Sequence, residues 1–256
     1  MPGPTTGFHA GQILSDTDTF TFACHPGVPC YTRCCRGADM YLYPYDVIRL
    51  KNRLGMDSDA FLERHTESAL RDNPHFPSVM LKMSDVDNGA CPFLNDAGCS
   101  VYEDRPFSCR AYPIERGVGR TGAGGRKIDF YTIARHDHCK GHGEKTIWTV
   151  GAWLADQGVA DYNAANDLWV DVDSLFRKNP WGERGLASPA FGMAFMACYN
   201  VDRFRRFVFE STFLSRFEVA LERLAQIKSD DAALMHFGFD WVRFLLTGAG
   251  TLKQKV

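Results

Sequence analysis

The chain has no apolar run approaching the roughly 20 residues that a membrane-spanning helix needs. Its most apolar stretch, Phe191 to Tyr199, is short and is followed by Asp202, Arg203, Arg205 and Arg206. No membrane association is expected. Met1 to Thr19 is polar and glycine-rich and lacks the apolar segment of a secretory signal. A cytoplasmic, reducing setting is the matching expectation. An excess of one charge is also missing: 29 Lys and Arg stand against 31 Asp and Glu, for a net charge of −2. That balance offers no general attraction for nucleic acid or for an anionic membrane. The basic stretch Arg203, Arg205 and Arg206 reads as one solvated helix face. Internal repeats and low-complexity tracts are absent as well.

Cysteine, by contrast, is plentiful, with nine in 256 residues. Eight fall in two blocks, Cys24, Cys30, Cys34 and Cys35, then Cys91, Cys99, Cys109 and Cys139. A chain of this length with 45% hydrophobic residues buries a full core without disulfide staples. The thiols are therefore available for metal. Four soft thiolates saturate one zinc or one iron–sulfur cluster, so eight suffice for two such sites or for one larger assembly. Cys198 lies inside the apolar stretch Phe191 to Tyr199, far from the others in sequence, and reads as a core residue.

Thr19 to Phe22 alternates as a short strand that delivers Cys24 into a loop. Tyr41 to Tyr43 resembles a second strand, Pro44 opens a helix that Gly55 stops after Leu54, and Asp57 or Ser58 caps another helix to about Leu70. From Ser78 the period becomes two, through Val79, Leu81 and Met83. A turn follows at Asp87-Asn88-Gly89, then a strand from Cys91 to Leu94, a turn at Asn95 to Gly98, and a strand from Cys99 to Tyr102. A last hairpin is expected between Ala111 to Arg116 and Lys127 to Ala134, joined by the glycine-rich Gly117 to Gly125. Beyond Lys145, helices are predicted over 147–157, 160–176, 193–209, 213–227 and 230–246, punctuated by Gly158, Pro180-Trp181-Gly182 and Ser188-Pro189. The predicted fold is α+β: a flexible tail over 1–19, a small antiparallel β cysteine-rich metal-binding core over 20–145, and a mainly α-helical C-terminal half over 146–256 packed on it.

Spacing constrains the site. On a helical turn Cys30 and Cys34 share a face, whereas Cys35 points about 100° away from Cys34. Adjacent cysteines therefore tend to serve different metal atoms, which suits a polynuclear cluster or two neighbouring sites better than one tetrahedral zinc. In an ideal hairpin with a turn at Asn95 to Gly98, Cys91 and Cys99 fall on opposite faces, so the hairpin is either distorted or feeds two sites. Arg36, Arg105 and Arg110, each close to a cysteine, either offset the negative charge of a thiolate cluster or pair at the surface with Glu103 or Asp104.

The block Cys24 to Cys35, Cys-Pro-Phe-Leu at 91–94, Gly-Cys-Ser-Val-Tyr-Glu-Asp-Arg-Pro at 98–106, Cys-Arg-Ala-Tyr-Pro at 109–113 and Cys139 together resemble the YkgJ-like cysteine-cluster family of zinc- or iron-chelating proteins, related to flagellin lysine methylases. The resemblance spans roughly residues 20–145 and implies metal binding. The family's usual first block is tighter; here His25-Pro26-Gly27-Val28-Pro29 separates Cys24 from Cys30.

Other features weigh less. Gly117-Val118-Gly119-Arg120-Thr121-Gly122 matches a dinucleotide fingerprint in form, but a strand rather than a helix is expected to follow, so it reads as a hairpin turn. His136, Asp137, His138 and His142 surround Cys139 and offer alternative ligands or proton carriers. Glu115 and Asp129 have the chemistry of general acids or bases and the sequence context of solvated strand ends. The aromatics Trp148, Trp153, Trp169, Phe204, Phe207, Phe209, Phe213, Phe217 and Trp241 fit core packing at helical spacing. The resulting expectation is an intracellular metal-thiolate protein holding one or two iron–sulfur clusters of the 4Fe-4S type on the eight clustered cysteines, for electron transfer or a redox reaction with a redox or protein partner. The alternatives are a structural or storage zinc module, and a protein-modifying enzyme similar to the lysine methylases, for which no methyl-donor motif is evident.

Overall fold

The structure, a computed structural model, describes residues 12–120 and 127–255. Most of the expected tail and the expected glycine-rich tip at 121–125 lie outside the described residues. In chain order, strand β1 (Thr19–Thr21) leads through a 3-10 turn (Arg33–Cys35) to β2 (Tyr41–Leu42), α1 (Pro44–Leu54), α2 (Ser58–His65), β3 (Thr66–Ala69) and β4 (Ser78–Leu81). Then come β5 (Leu94–Asn95), β6 (Gly98–Cys99), α3 (Phe107–Ala111), β7 (Ile114–Arg120), β8 (Lys127–Ile133), β9 (Ile147–Thr149) and α4 (Val150–Asp156). The remainder is α5 (Ala160–Phe176), α6 (Pro189–Tyr199), α7 (Val201–Glu210), α8 (Phe213–Arg216), β10 (Phe217–Glu218), α9 (Leu221–Ser229), α10 (Asp231–Thr247) and β11 (Lys253–Gln254). The fold is α+β with small antiparallel sheets and a more helical C-terminal half.

The described residues fall into two compact units whose segments interleave along the chain. One unit draws on described residues within 12–38, 83–100, 107–120 and 127–161; the other draws on 39–82, 101–106 and 162–255. The first holds all eight clustered cysteines. Its core is Leu14, Phe20, Phe22, Ile114, Tyr131, Val150 and Trp153, with Tyr112 and Cys139 packed against it. Strand β1 pairs with β9, and β7 with β8. Leu14, within the span expected as a tail, is buried and bridges to Tyr131, whose carbonyl accepts the Leu14 amide at 2.8 Å.

In the second unit β2 and β3 flank β4. Helix α1 begins and ends where its residues dictate. Pro44 occupies the first turn, the Tyr43 amide donates to Asp46 at 2.8 Å, and Gly55 adopts the left-handed conformation that stops the helix. Phe76 stacks on Phe176 at 4.0 Å between ring centroids and lies among Trp169, Trp181 and Tyr199. Cys198 is fully enclosed in α6, as its sequence context predicts.

Several boundaries differ from the sequence reading, each for a local reason. The second helix stops at His65, not near Leu70, because Thr66 to Ala69 pairs with Ser78 to Leu81. The helix expected from 147 begins at Val150, since Ile147 to Thr149 pairs with β1 and Thr149 caps α4 by accepting the Ala152 amide. The single helix expected over 193–209 is two helices: Asn200 departs from helical geometry and caps α7 by accepting the Arg203 amide at 3.1 Å. The helix expected over 213–227 is α8, β10 and α9, because Phe217 and Glu218 pair with Gln254 and Lys253. Ala111, expected in a strand, closes the short helix α3.

Candidate metal centre

The first cysteine block is wound from consecutive tight turns. Carbonyls of His25, Val28, Cys30, Thr32 and Arg33 accept the amides of Val28, Tyr31, Arg33, Cys35 and Arg36. The residues that lengthen the gap between Cys24 and Cys30 are thus folded back on themselves, with Val28 buried as their plug. Thr32 takes a left-handed conformation at φ 62°, which lets the 3-10 turn start immediately before Cys34 and Cys35. A 3-10 turn advances about 120° per residue, yet the two neighbouring cysteine side chains are hydrogen-bonded to each other.

A short antiparallel ladder joins this block to the second. The Cys91 amide donates to the Cys35 carbonyl at 2.8 Å, Arg36 bridges to Ala90, and the Gly37 amide donates to the Gly89 carbonyl at 2.8 Å. Gly89 has φ +66°, and a side chain there would meet the Gly37 backbone at about 3 Å. The two segments approach this closely because position 89 is glycine, while Gly37, at φ +64°, takes a left-handed conformation that favours glycine.

Cys91 to Leu94 is a turn rather than the expected strand: the Leu94 amide returns to the Cys91 carbonyl at 3.0 Å, and pairing starts only at Leu94 with Cys99. This removes Cys91 from the ladder and disposes of the opposite-face conflict. The Tyr31 hydroxyl sits against Gly98, where a Cβ would lie 2.6 Å from it, which ties the first block to the hairpin as well.

The third contribution is the segment around Cys139. The Lys140 amide donates to the Cys30 sulfur at 3.0 Å, and the Ala23 amide donates to the Gly141 carbonyl at 3.2 Å. Tyr112, three residues beyond Cys109, hydrogen-bonds Cys139 and places its hydroxyl 3.3 Å from His142 Nε2. Its ring is held edge-on by Phe22 and stacked on His136, which stacks in turn on His138.

All nine cysteines are free thiols, and Cys198 alone is buried. Cys35 donates a hydrogen bond to Cys34, which lowers the Cys34 thiol to about 7, whereas the same bond, then burial and the nearby Cys34, Cys109 and Cys91, push Cys35 up. Burial first, then Cys99 and Cys34 among the contributors, raises Cys91. Burial and the bond to Cys139 raise Tyr112, which also feels Cys34 and Cys30. Cys34, Cys91 and Cys109 thus neighbour Cys35, Cys99 and Cys34 neighbour Cys91, and Cys139, Cys34 and Cys30 neighbour Tyr112. Cys24 is exposed on the segment that Ala23 anchors to Gly141. Among the described residues, no three of these side chains close on a point that a metal ion could occupy. The donor chemistry nevertheless fits a thiophilic metal: soft sulfur donors, free of disulfides, gathered in a single unit.

The other candidates take structural roles. Arg36 grips Asp87, bonding both its carboxylate and its carbonyl at 2.9 Å, and not Glu103 or Asp104. Arg110 is buried and donates to the Gln157 carbonyl. Arg105 lies in the other unit, packed over the Tyr102 ring. Asp129 is engaged by Arg116 at 2.8 and 2.9 Å, and Glu115 accepts from Thr132. The dinucleotide-like motif is strand β7 from Gly117 to Arg120, and its last two residues lie outside the described residues. Sequence reasoning passed over Tyr112, although it sits within Cys-Arg-Ala-Tyr-Pro. It had no means of finding the Lys140 amide, since a backbone donor leaves no mark in composition.

Neither a curated protein nor a solved structure matches the chain. A family model does match, over residues 23–140, which includes every clustered cysteine. The segment 23–140 of this chain, with its cluster of cysteines, is thus similar to the CxxCxxCC family, described as "Putative zinc- or iron-chelating domain".

Proposed function

We propose that the protein is an iron–sulfur protein, its clustered cysteines holding one or two clusters that carry electrons or support a redox reaction with a partner. The observation behind this reading is the number of thiols in one compact unit: eight cysteines free of disulfides lie there, where a single tetrahedral zinc takes four ligands. The presence of a vicinal pair supports the same reading, because a polynuclear cluster accepts neighbouring thiolates at different metal atoms. When bound, such a cluster supplies one-electron chemistry. The chain supplies its thiolates, the Lys140 amide on Cys30, the Tyr112 hydroxyl on Cys139, and the aromatic packing of Phe22 and Trp153 behind them.

A second reading is zinc held for structure or storage, which the family description favours equally with iron. Anaerobic purification separates the two. The iron–sulfur reading expects a brown protein with visible charge-transfer absorption, acid-labile sulfide and an electron paramagnetic resonance signal on reduction. A colourless protein with stoichiometric zinc would overturn it. The methylase-like reading has less behind it, as the one motif resembling a nucleotide site is part of a β-hairpin.

A further inference from the structure

We propose that Tyr112, Trp153 and Trp148, bridged by the Phe22 ring, form a relay that carries electrons from the cysteine unit to a one-electron oxidant at the protein surface. Its use rests on the redox reading above, but its test reads the rings themselves.

The rings follow one another in contact. Tyr112 meets Phe22 edge-on at 5.6 Å between centroids, Phe22 meets Trp153 edge-on at 5.5 Å, and Trp153 meets Trp148 at 5.3 Å. Hydrogen bonds run alongside them. The Trp153 indole N–H donates at 3.0 Å to the carbonyl of Ala111, the residue before Tyr112, and the Trp148 indole N–H donates to the Phe22 carbonyl at 3.1 Å. Electron transfer weakens steeply across empty space and less steeply through bonds and hydrogen bonds, so an arrangement of this kind favours it.

The two ends set the direction. At the inner end Tyr112 packs with Cys139 against the same hydrophobic core. At the outer end lies Trp148: of the five tryptophans in the chain, Trp153, Trp169, Trp181 and Trp241 are buried and Trp148 alone is not. It follows the exposed Ile147 on β9. Packing alone requires no base beside the phenol, yet His142 Nε2 lies 3.3 Å from the Tyr112 hydroxyl.

Each step moves one electron. A surface oxidant takes an electron from Trp148, Trp153 reduces the indole radical cation so formed, and Tyr112 reduces Trp153 in turn while its phenolic proton passes to His142 Nε2. An electron from a cysteine thiolate, or from the metal it holds, restores Tyr112 as His142 returns the proton. The net change is one electron from the cysteines to the oxidant. Indole radicals are stronger oxidants than the tyrosyl radical at neutral pH, so the sequence runs downhill.

The test is pulse radiolysis of the full chain, purified anaerobically and with its metal content measured on the same sample. The oxidant is the azide radical, which attacks indole in preference to phenol at neutral pH. Absorbance of the indole radical is expected to give way to that of the tyrosyl radical at a rate independent of protein concentration. Tyr112→Phe and Trp148→Phe should each lose most of the tyrosyl signal, and Trp153→Phe should slow its appearance several-fold. Phe22→Leu provides the same comparison should Trp153→Phe fail to fold by circular dichroism. The relay is overturned if Tyr112→Phe or Trp148→Phe keeps the signal, if a folded Trp153 or Phe22 variant converts at the wild-type rate, or if the rate scales with concentration. The two proposals fail separately. Stoichiometric zinc together with transfer from ring to ring would sink the iron–sulfur reading and leave the relay standing, whereas iron and sulfide without such transfer would do the reverse.

Discussion

At the scale of single residues, Tyr112 links the cysteines to the hydrophobic core. Its ring is packed among Phe22 and His136, and its hydroxyl reaches Cys139 and His142. Burial first, then the bond to Cys139, keeps that hydroxyl protonated, and burial lowers His142, so both stay neutral near pH 7. Tyr112→Phe keeps the packing and deletes the donor. A hydrogen bond to a charged acceptor contributes about 1.5–3 kcal/mol, so metal release to a chelator should accelerate roughly 10- to 100-fold at unchanged stoichiometry. An unchanged release rate would show that the hydroxyl does not hold the thiolate. Cys35→Ser tests the neighbouring point: iron content should fall if both vicinal thiols ligate, and full retention would remove Cys35 from the ligand set.

At the scale of elements, polar side chains decide where helices begin, end and meet. Lys51 on α1 is nearly enclosed and lies 3.1 Å from Asp202 and 2.9 Å from Asp231, at the starts of α7 and α10. Removing one member of a buried ionic group leaves the others uncompensated, at about 3–5 kcal/mol. Lys51→Met should lower stability by about 3 kcal/mol in urea titration, and a loss under 1 kcal/mol would show the group to be solvated. Asp202 adds a pH dependence. Burial opposes its ionisation, but the Ser58 amide and Lys51 outweigh that and hold its carboxyl below the usual range. Its stabilisation is therefore present above about pH 4, the ordinary aspartate value, and is lost as pH falls through the depressed folded value. The gap in melting temperature between wild type and Asp202→Asn should be full at pH 7 and close in acid; a gap independent of pH would contradict this.

The same scale explains what was readable in the sequence. Helix α1 announces itself through Pro44 and Gly55, and α10 through Asp230, whose carboxylate accepts the Ala232 and Ala233 amides. The signals are local and so are the bonds. Thr66 to Ala69 could not be assigned as a strand, because its partner lies beyond a loop and nothing within the segment opposes helix. The two cysteine blocks were legible as candidate ligands by type and grouping, and the structure gathers both in one unit. Their joining through Gly37 and Gly89, and the turn that frees Cys91, were not, because both depend on contacts distant in sequence.

At the scale of the whole molecule, the chain leaves the cysteine unit at Ala38, builds part of the helical unit, and returns at Met83. Metal should stabilise the unit that binds it. Chelation under reducing conditions is expected to raise amide exchange at Arg33–Cys35, Leu94–Cys99 and Phe107–Ala111 while α10 keeps its protection. Equal loss of protection in α10 would mean that the units unfold as one. The interleaving also sets an order in time. At translation rates of about 5–20 residues per second, Cys139 leaves the ribosome roughly 6–23 seconds after Cys24. Until then Cys30 lacks the amide of Lys140 that meets its sulfur. The nascent chain thus carries the first cysteine block for seconds before the last clustered cysteine, Cys139, can join it, so on the proposed metal-thiolate reading no complete set of thiols exists until synthesis has passed that residue.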